Sequence, residues 1–407
     1  MADVFNTTTT LDGFLRDFVS EGVIDAVPKF AYLQENIPFE EDAGRKYLMP
    51  VLLTEEHGFT YSKPNNGAFT LEESVAAEMK EGQLEPSQIV LKTTIDYETA
   101  FRSASGGKRA FMDGVGQVVV NMKKAHAKRL EIDLLGYGRT GIGAVNAATS
   151  AVTTLVVSDA TYSPGIWSGM KGCVIQIISA DFDADEDTSE VIASFAPSTK
   201  TVTVTNAQTL DAGDLLFYKG QVTSGASDAE VYHSMVGLDT MAKTTSGSLF
   251  NISTTTYADV WQGTEKTTTG QPTMAKIMNG VSDVVNKGCL EDLTLICSPR
   301  AFEVLNTDLA ALRRLDGSYR LSKAESGAEK LSFFGQNGKL DVVPHLLCKW
   351  GDMFLFPPKR LKRVGATKAT LKHPATGDLI RQATTTAGLE LRLYSSEAII
   401  PERLSWI

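Results

Sequence analysis

Cysteine, histidine and long apolar runs are all scarce in this sequence, and each shortage removes a class of function. The four cysteines, Cys173, Cys289, Cys297 and Cys348, lie far apart with no C-x-x-C pair and no clustered histidines, so neither a zinc site nor a disulfide framework is expected. Reduced thiols, as in a cytosol, suit them. The five histidines, His57, His126, His233, His345 and His373, have no nearby Ser or Cys in a nucleophile-elbow pattern, and no P-loop or H-E-x-x-H occurs. No catalytic, metal-ligating or cofactor-binding residue is nominated. Triads assemble in space rather than in sequence, so this narrows the enzyme class without closing it. No segment approaches the roughly 20 apolar residues that span a bilayer. The start, "MADVFNTTTTLDGFLRDF", lacks a basic n-region and an apolar h-region, so no export signal, anchor or membrane partner is expected. Basic charge is short as well: 39 Lys and Arg face 49 Asp and Glu, a net charge of -10. That argues against a surface that grips nucleic acid all round and leaves room for one basic face.

What is present is enough apolar residue for a large core, 43% of 407 residues, and the length predicts two or more globular parts. Residues 1–45 read as an arm, with a helical pattern in Leu11, Phe14, Leu15, Phe18, Val19 and Val23 that ends near Pro28. Residues 46–105 read as a long β-hairpin. Its first arm is "KYLMPVLLTEEHGFTYSK", its tip the polar "PNNGAF", and its return arm "SQIVLKTTIDYETAF", with a short helical stretch "LEESVAAEMK" between tip and return. Residues 107–135 carry the strongest helical pattern. Phe111, Val115, Val118, Val119, Met122 and Ala125 fall on one side, and Gln117, Asn121, Lys124 and Lys128 on the other. Gly114 and Gly116 suggest a kink or a close helix contact within it.

"GYGRTG" at Gly136–Gly141 matches G-x-G-x-x-G, but that pattern signals a dinucleotide only between a buried strand and a helix. Here a helix precedes it and the small, polar "AVNAATSAVT" follows, so Gly136 and Gly138 read as helix-stop residues that tolerate positive φ. The spine helix and this turn make up 106–143. From 144 to 235 short alternating runs of Thr, Val, Ser and Asp predict a small all-β insertion, separable and facing outward. Within it Asp181, Asp183, Asp185 and Asp187 alternate like a calcium loop. Thr188 stands where an EF-hand needs glycine and Ser194 where it needs glutamate, so a solvated acidic turn is the expectation. In 236–407, helical spacing returns over Met274, Ile277, Met278, Val281, Val284 and Val285, closed by Gly288. The buried strand "DLTLICS" then runs into a helix that opens at Pro299. Extended runs follow, with a hairpin about "PATGD" and an apolar end at Trp406 and Ile407, expected to be packed.

The order of these elements resembles tailed-bacteriophage major capsid proteins over most of the chain. The most specific stretch is "AKRLEIDLLGYGRTGIG", similar to the end of that family's spine helix. "YADVWQGTEKTTTGQPTMAKIMNGVSDVVNKG" and "LTLICSPRAFEVL" support it. The resemblance implies an α+β chain of the Hong Kong 97 phage-type capsid fold: N-terminal arm, extended β-hairpin loop, long spine helix, peripheral and axial domains. The all-β insertion is a departure from the minimal fold. It implies self-assembly into hexamers and pentamers of an icosahedral head in the virion, formed in a host bacterial cytoplasm. Double-stranded DNA would be packaged by non-specific contacts, with a portal protein, a separate scaffolding protein and, optionally, a decoration protein as partners. An encapsulin-like compartment shell shares the fold, and a dinucleotide-binding oxidoreductase built on "GYGRTG" is the rival of another class.

Residues 107–130 hold six cations against Asp113 alone, a net +5. Under the resemblance Lys123, Lys124 and Lys128 face the genome and meet phosphates without reading bases. A solvated face with intersubunit ion pairs is the other reading. Arg129 lies near the apolar face by spacing and is assigned an intersubunit salt bridge instead. Lys63, Asn65 and Asn66 mark the hairpin tip. Some family members form a Lys-Asn crosslink there, but ordinary lattice contacts are the expectation.

Overall fold

The structure, a computed structural model, describes residues 31–42, 44–65, 67–96, 98, 108–182, 185–223, 231–307, 331–335, 338–372, 377, 381–382 and 388–407. The arm pattern of Leu11 to Val23, Asn66 at the tip, Asp183 and most of "PATGD" lie outside them.

One uninterrupted helix, Lys108–Leu135, forms the spine, with Gly114 and Gly116 inside it. At 1.5 Å per residue it is about 42 Å long. Val118, Val119 and Met122 pack onto Leu91, Ile95, Leu391 and Leu393 of a sheet, as the apolar side predicted. Its last six residues, Leu130 to Leu135, are buried on every side. Gly136 stops the helix at φ 99°, where a Cβ would sit 2.8 Å from the Asp239 amide nitrogen. Gly138 serves a different need. It lies in the short helix Tyr137–Thr140 without positive φ, and a Cβ there would press on Asp133 and Ser234. The motif therefore follows a helix, and the strand-turn-helix context of a dinucleotide site is not found at it.

The sheet beneath the spine is built on the long strand Gly388–Pro401. It pairs antiparallel with Ser87–Asp96 through ten residues on one edge and with Leu361–Thr370 on the other. Phe39–Glu41 adds in parallel to the latter. This corrects the hairpin. "SQIVLKTTIDYETAF" supplies a strand of the body, because Leu91 and Ile95 have the spine to cover them. The strand that returns to Tyr47–Leu52 is Met79–Leu84, with Tyr47 opposite Leu84 and Leu52 opposite Met79. The end of "LEESVAAEMK" is thus extended rather than helical. An isolated ten-residue helix is marginal in water, and the partner strand supplies the backbone bonds instead.

The all-β region is a six-stranded antiparallel sheet in the order Gly143–Ala144, Leu215–Tyr218, Val174–Ile178, Asp185–Ala196, Thr201–Leu210, Thr149–Val156. Ile178, Phe217 and Val222 form a small cluster of its own with Phe182, Leu215 and Tyr232, and the rest of its apolar side packs into the body. Ile166, Trp167, Ile175, Leu216 and Tyr218 join Leu134, Tyr137, Cys348, Phe354 and Ile399 in one cluster. The composition shift marks a change from helix to strand, not a packing boundary.

The rest matches the sequence pattern closely. Met274–Asn286 is helical, the Thr273 side chain accepts from the Lys276 amide, and Gly288 at φ 87° follows its end. Leu293–Cys297 is fully buried and leads into Pro299–Thr307, whose Ala301 amide donates to Ser298 Oγ. These elements share a second cluster with Leu340 and Val342. Ile407 is buried, and Trp406 Nε1 donates to the Lys287 carbonyl.

Two glycines test this packing. A Cβ on Gly237 would fall closer than 3.0 Å to the Asp133 carbonyl and the Gly136 amide, both backbone. Gly237→Ala is expected to cost more than about 3 kcal/mol in urea unfolding, because neither neighbour can rotate away. Gly280, inside the 274–286 helix, meets only Leu355 Cδ2 at 4.0 Å. Gly280→Ala should stabilise by up to about 1 kcal/mol in the same assay.

Candidate functional site

The segment 47–84 holds most of the exposed apolar surface. Among the described residues, Leu48, Leu52, Phe59, Tyr61, Phe69, Leu71, Val75 and Met79 are large hydrophobics open to solvent, with Phe59 72%, Leu71 74% and Tyr61 91% exposed. Burying each would be worth roughly 1.5–3 kcal/mol, so a surface of this kind marks a place that another molecule covers. At its tip Lys63 and Asn65 are exposed, Asn65 at φ 64° and Gly67 at φ 68°. The base is fixed to the body. Gln83 donates its amide to the Phe250 carbonyl, Lys80 lies over the Tyr257 ring at 4.9 Å, and Leu53 and Leu84 join the main core, while Lys46 and Glu85 pair at 2.9 Å across the segment's two ends.

The spine cations divide. Lys123 is exposed and Lys124 half-buried; Lys108 and Arg109 lie on the same helix. Lys128 departs from the expected polar side: it is 9% exposed and donates from Nζ to the Ser168 carbonyl at 2.7 Å. Burial, aided by the neighbouring Arg129 charge, pushes its ammonium down to about 8. Helical spacing put Lys128 on the open side, but the β insertion covers that side near the helix end. Arg129 is likewise engaged inside the chain. Its guanidinium stacks on the Tyr218 ring at 3.0 Å and donates to Cys173 Sγ. The insertion, rather than an adjoining subunit, supplies these partners.

Sequence reasoning missed the buried carboxylates at the helix end. Glu131, fully buried, accepts from the Leu33 amide at 2.6 Å, from the Gln34 amide at 3.3 Å and from Gln34 Nε2 at 3.0 Å, with His345 Nε2 3.1 Å away. It thereby caps the helix Tyr32–Asn36. Arg363 holds the other end of that helix, donating to the Gln34 and Ile37 carbonyls and to Glu397. The available signal was two acids inside the apolar run "LEIDLL". Asp187 is used within its sheet, accepting from the Ser189 amide and Gln208 Nε2. Among the described residues no group of three or more His, Cys, Asp or Glu could hold a metal, and no helix is long and apolar enough to cross a membrane.

Asp133 is buried, with one accepted bond from Gln221 Nε2 at 2.9 Å. Burial pushes its carboxyl up to about 7, against the opposing pull of Arg129 and Gln221. The carboxylate also sits in the last turn of the spine, where the helix dipole disfavours negative charge. A folded-state value raised above the ordinary 3.8 means that the folded chain keeps a proton the unfolded chain has lost. This contribution is full below about pH 4 and is lost as pH rises through about 7. Asp133→Asn should therefore match wild type at pH 4 and be more stable at pH 8 by roughly 1–4 kcal/mol. Urea unfolding at both pH values checks it.

No family model matches the chain, and no curated protein matches it. Solved structures do. "Cyanophage A-1(L) capsid asymmetric unit" is similar at TM-score 0.56 and 13% identity, covering 98% of this chain and 97% of that one. The capsid of a native GTA particle follows at TM-score 0.46 and 9% identity, covering 98% and 97%. A Mycobacterium phage Bobi structure stands at TM-score 0.45 and 10% identity, covering 97% and 92%. This chain shares the fold of the first of these over nearly the whole of both chains, the Hong Kong 97 phage-type capsid fold.

Proposed function

We propose that the chain is the major capsid protein of a tailed phage, a structural subunit that assembles with its own copies into hexamers and pentamers of an icosahedral head. The observation that carries this is the 47–84 segment, whose apolar side chains lie open in a chain that otherwise buries a continuous core. A monomer rarely tolerates such a surface, whereas a repeating neighbour covers it. The tip residues Lys63 and Asn65, with Asn66 beside them, belong to that lattice contact. Packaged double-stranded DNA, a portal protein, a separate scaffolding protein and optionally a decoration protein complete the partner set. The virion is the destination, after assembly in the host cytoplasm.

Size-exclusion chromatography with negative-stain microscopy of the purified chain tests this reading. Closed shells are expected, and a monodisperse monomer or dimer under all salt conditions would overturn it. DNA content, rather than enclosed protein cargo, separates a phage head from an encapsulin-like compartment. The double variant Phe59→Ser with Leu71→Ser should abolish shell formation or raise the critical concentration at least tenfold. Exposed substitutions of this kind leave subunit stability within about 0.5 kcal/mol.

Lys123 and Lys124 remain candidates for phosphate contact, while the Lys128 ammonium is committed to Ser168. Lys123→Gln with Lys124→Gln should leave empty-shell assembly intact, since the exposed Lys123 charge adds little to stability and glutamine keeps the half-buried Lys124 position polar. Filled heads should tolerate a full genome less well and depend less steeply on salt. Assembly of empty shells across a salt series decides the matter: a shift there assigns the two lysines to the lattice instead.

A further inference from the structure

A cavity of about 370 Å³ opens at the root of the 47–84 segment. Lys46, Gln83 and Glu85 line it from the two ends of that segment, Arg139 from the glycine turn, and Ser248 and Asn251 from the small hairpin of Ser248–Leu249 and Ile252–Ser253. Arg139 is half-buried and spends one donor, Nε to the Ser234 carbonyl at 3.0 Å, with its guanidinium 5.1 Å from the Tyr232 ring. The four N–H groups on its Nη atoms have no acceptor among the described residues. Burial pushes the guanidinium below its ordinary value, and only Tyr232 opposes that. The carboxylate that lines the cavity, Glu85, is already held by Lys46 at 2.9 Å. A half-buried cation without a counter-ion bears a desolvation cost that an incoming carboxylate removes, and a guanidinium takes a carboxylate with two parallel bonds.

The same segment carries the opposite charge further out. Residues 47–84 hold six glutamates against Lys63 and Lys80, a net -4. Glu78 pairs with Lys80 at 3.3 Å, and Glu81 lies in the paired base opposite Pro50. The other four, Glu55, Glu56, Glu72 and Glu73, are exposed. The bridge between His57 and Val75 and the bond from the Glu72 amide to Thr60 Oγ1 bring them onto one stretch of the segment. They cannot serve the cavity of their own chain. The strands Tyr47–Leu52 and Met79–Leu84 stand between, six residues each and so roughly 20 Å at the rise of a strand.

We propose that the cavity at the root of one copy receives a glutamate from the 47–84 segment of a neighbouring copy, one of Glu55, Glu56, Glu72 and Glu73, whose carboxylate meets the Nη donors of Arg139. The proposal rests on the reading that copies of this chain form a shell, and adds a polar pair to the apolar contact of Phe59, Tyr61 and Leu71. A second copy fits because the chain itself presents both halves, an acidic stretch short of cations and a guanidinium without an acid. The contact runs from the outer part of one segment to the root of the next. Such a head-to-tail contact uses two different surfaces and closes into a ring when the rotation between copies allows it. The charged pair fixes the register of a contact that apolar side chains alone would leave free to slide.

The test is a double-mutant cycle on the full chain, read as the critical concentration for shell assembly beside the urea midpoint of the free subunit. Arg139→Gln, and the fourfold variant Glu55→Gln, Glu56→Gln, Glu72→Gln and Glu73→Gln, should each raise the critical concentration at least tenfold, the fourfold variant with an unchanged midpoint. Combined, they should cost no more than about threefold beyond the worse of the two, because the groups act as one pair. Asn251→Asp sets a rival carboxylate in the cavity from an exposed turn, and so decides the matter even if Arg139→Gln does not fold. It should raise the critical concentration at least tenfold in the wild-type chain and have no further effect in the fourfold variant. Losses that multiply, or wild-type assembly by the fourfold variant or by Asn251→Asp, would overturn the proposal and leave the shell reading in place. A wild-type chain that forms no shell at any salt concentration would remove both.

Discussion

Two carboxylates buried in the last turns of a long helix constrain everything around them. Glu131 and Asp133 sit where the spine's own unpaired carbonyls already make the potential negative, and both are cut off from water. Each must find donors within the protein or bear the cost of an uncompensated buried charge, of order 3–5 kcal/mol. Glu131 finds them on a segment nearly a hundred residues away, the amides of Leu33 and Gln34. That choice fixes the helix 32–36, and through Arg363 it fixes the strand that runs beside Phe39–Glu41. Asp133 finds one donor on the β insertion. The helix end therefore serves as the point at which the N-terminal segment, the insertion and the C-terminal strands are brought into one register.

The apolar surface divides in a complementary way. Within the body the main cluster runs from Leu33 through the spine and the insertion to Ile407, with smaller clusters beneath the spine and around Met274–Asn286. The 47–84 segment keeps two strands paired, sends Leu53 and Leu84 into the core and leaves Leu48, Leu52, Phe59, Tyr61, Phe69, Leu71, Val75 and Met79 uncovered. Its base is anchored in the body by those two leucines, by the Gln83 amide on the Phe250 carbonyl and by Lys80 over Tyr257.

Much of the fold was legible because it rests on periodicity. The spine stripe, the Gly288 stop and the Pro299 start follow local rules that a sequence displays directly. The failures have a common cause. Ser87–Asp96 was assigned to the hairpin because alternation identifies a strand but not its partner, and the partner lies some 300 residues away. Lys128 and Arg129 were read from helical spacing as outward or intersubunit groups. The spacing was right, but the insertion that covers them is a tertiary fact, carried by Ser168, Cys173 and Tyr218. Glu131 was hidden for the same reason, since its donors, the Leu33 and Gln34 amides and Gln34 Nε2, lie nearly a hundred residues away.

That same distinction explains how a chain only 13% identical to a solved capsid subunit can share its fold across 98% of its length. Side-chain identity is needed where chemistry is done on a bound group, and a subunit whose task is contact needs little of it. What the backbone demands is narrower: a residue that accepts φ 99° at position 136, no Cβ at 237 against the helix end, and an apolar side for the sheet below the spine. Many sequences meet these conditions. Element order can therefore be shared where few side chains are, and the glycines of "GYGRTG" serve packing in this chain, although the same letters elsewhere would cradle a phosphate.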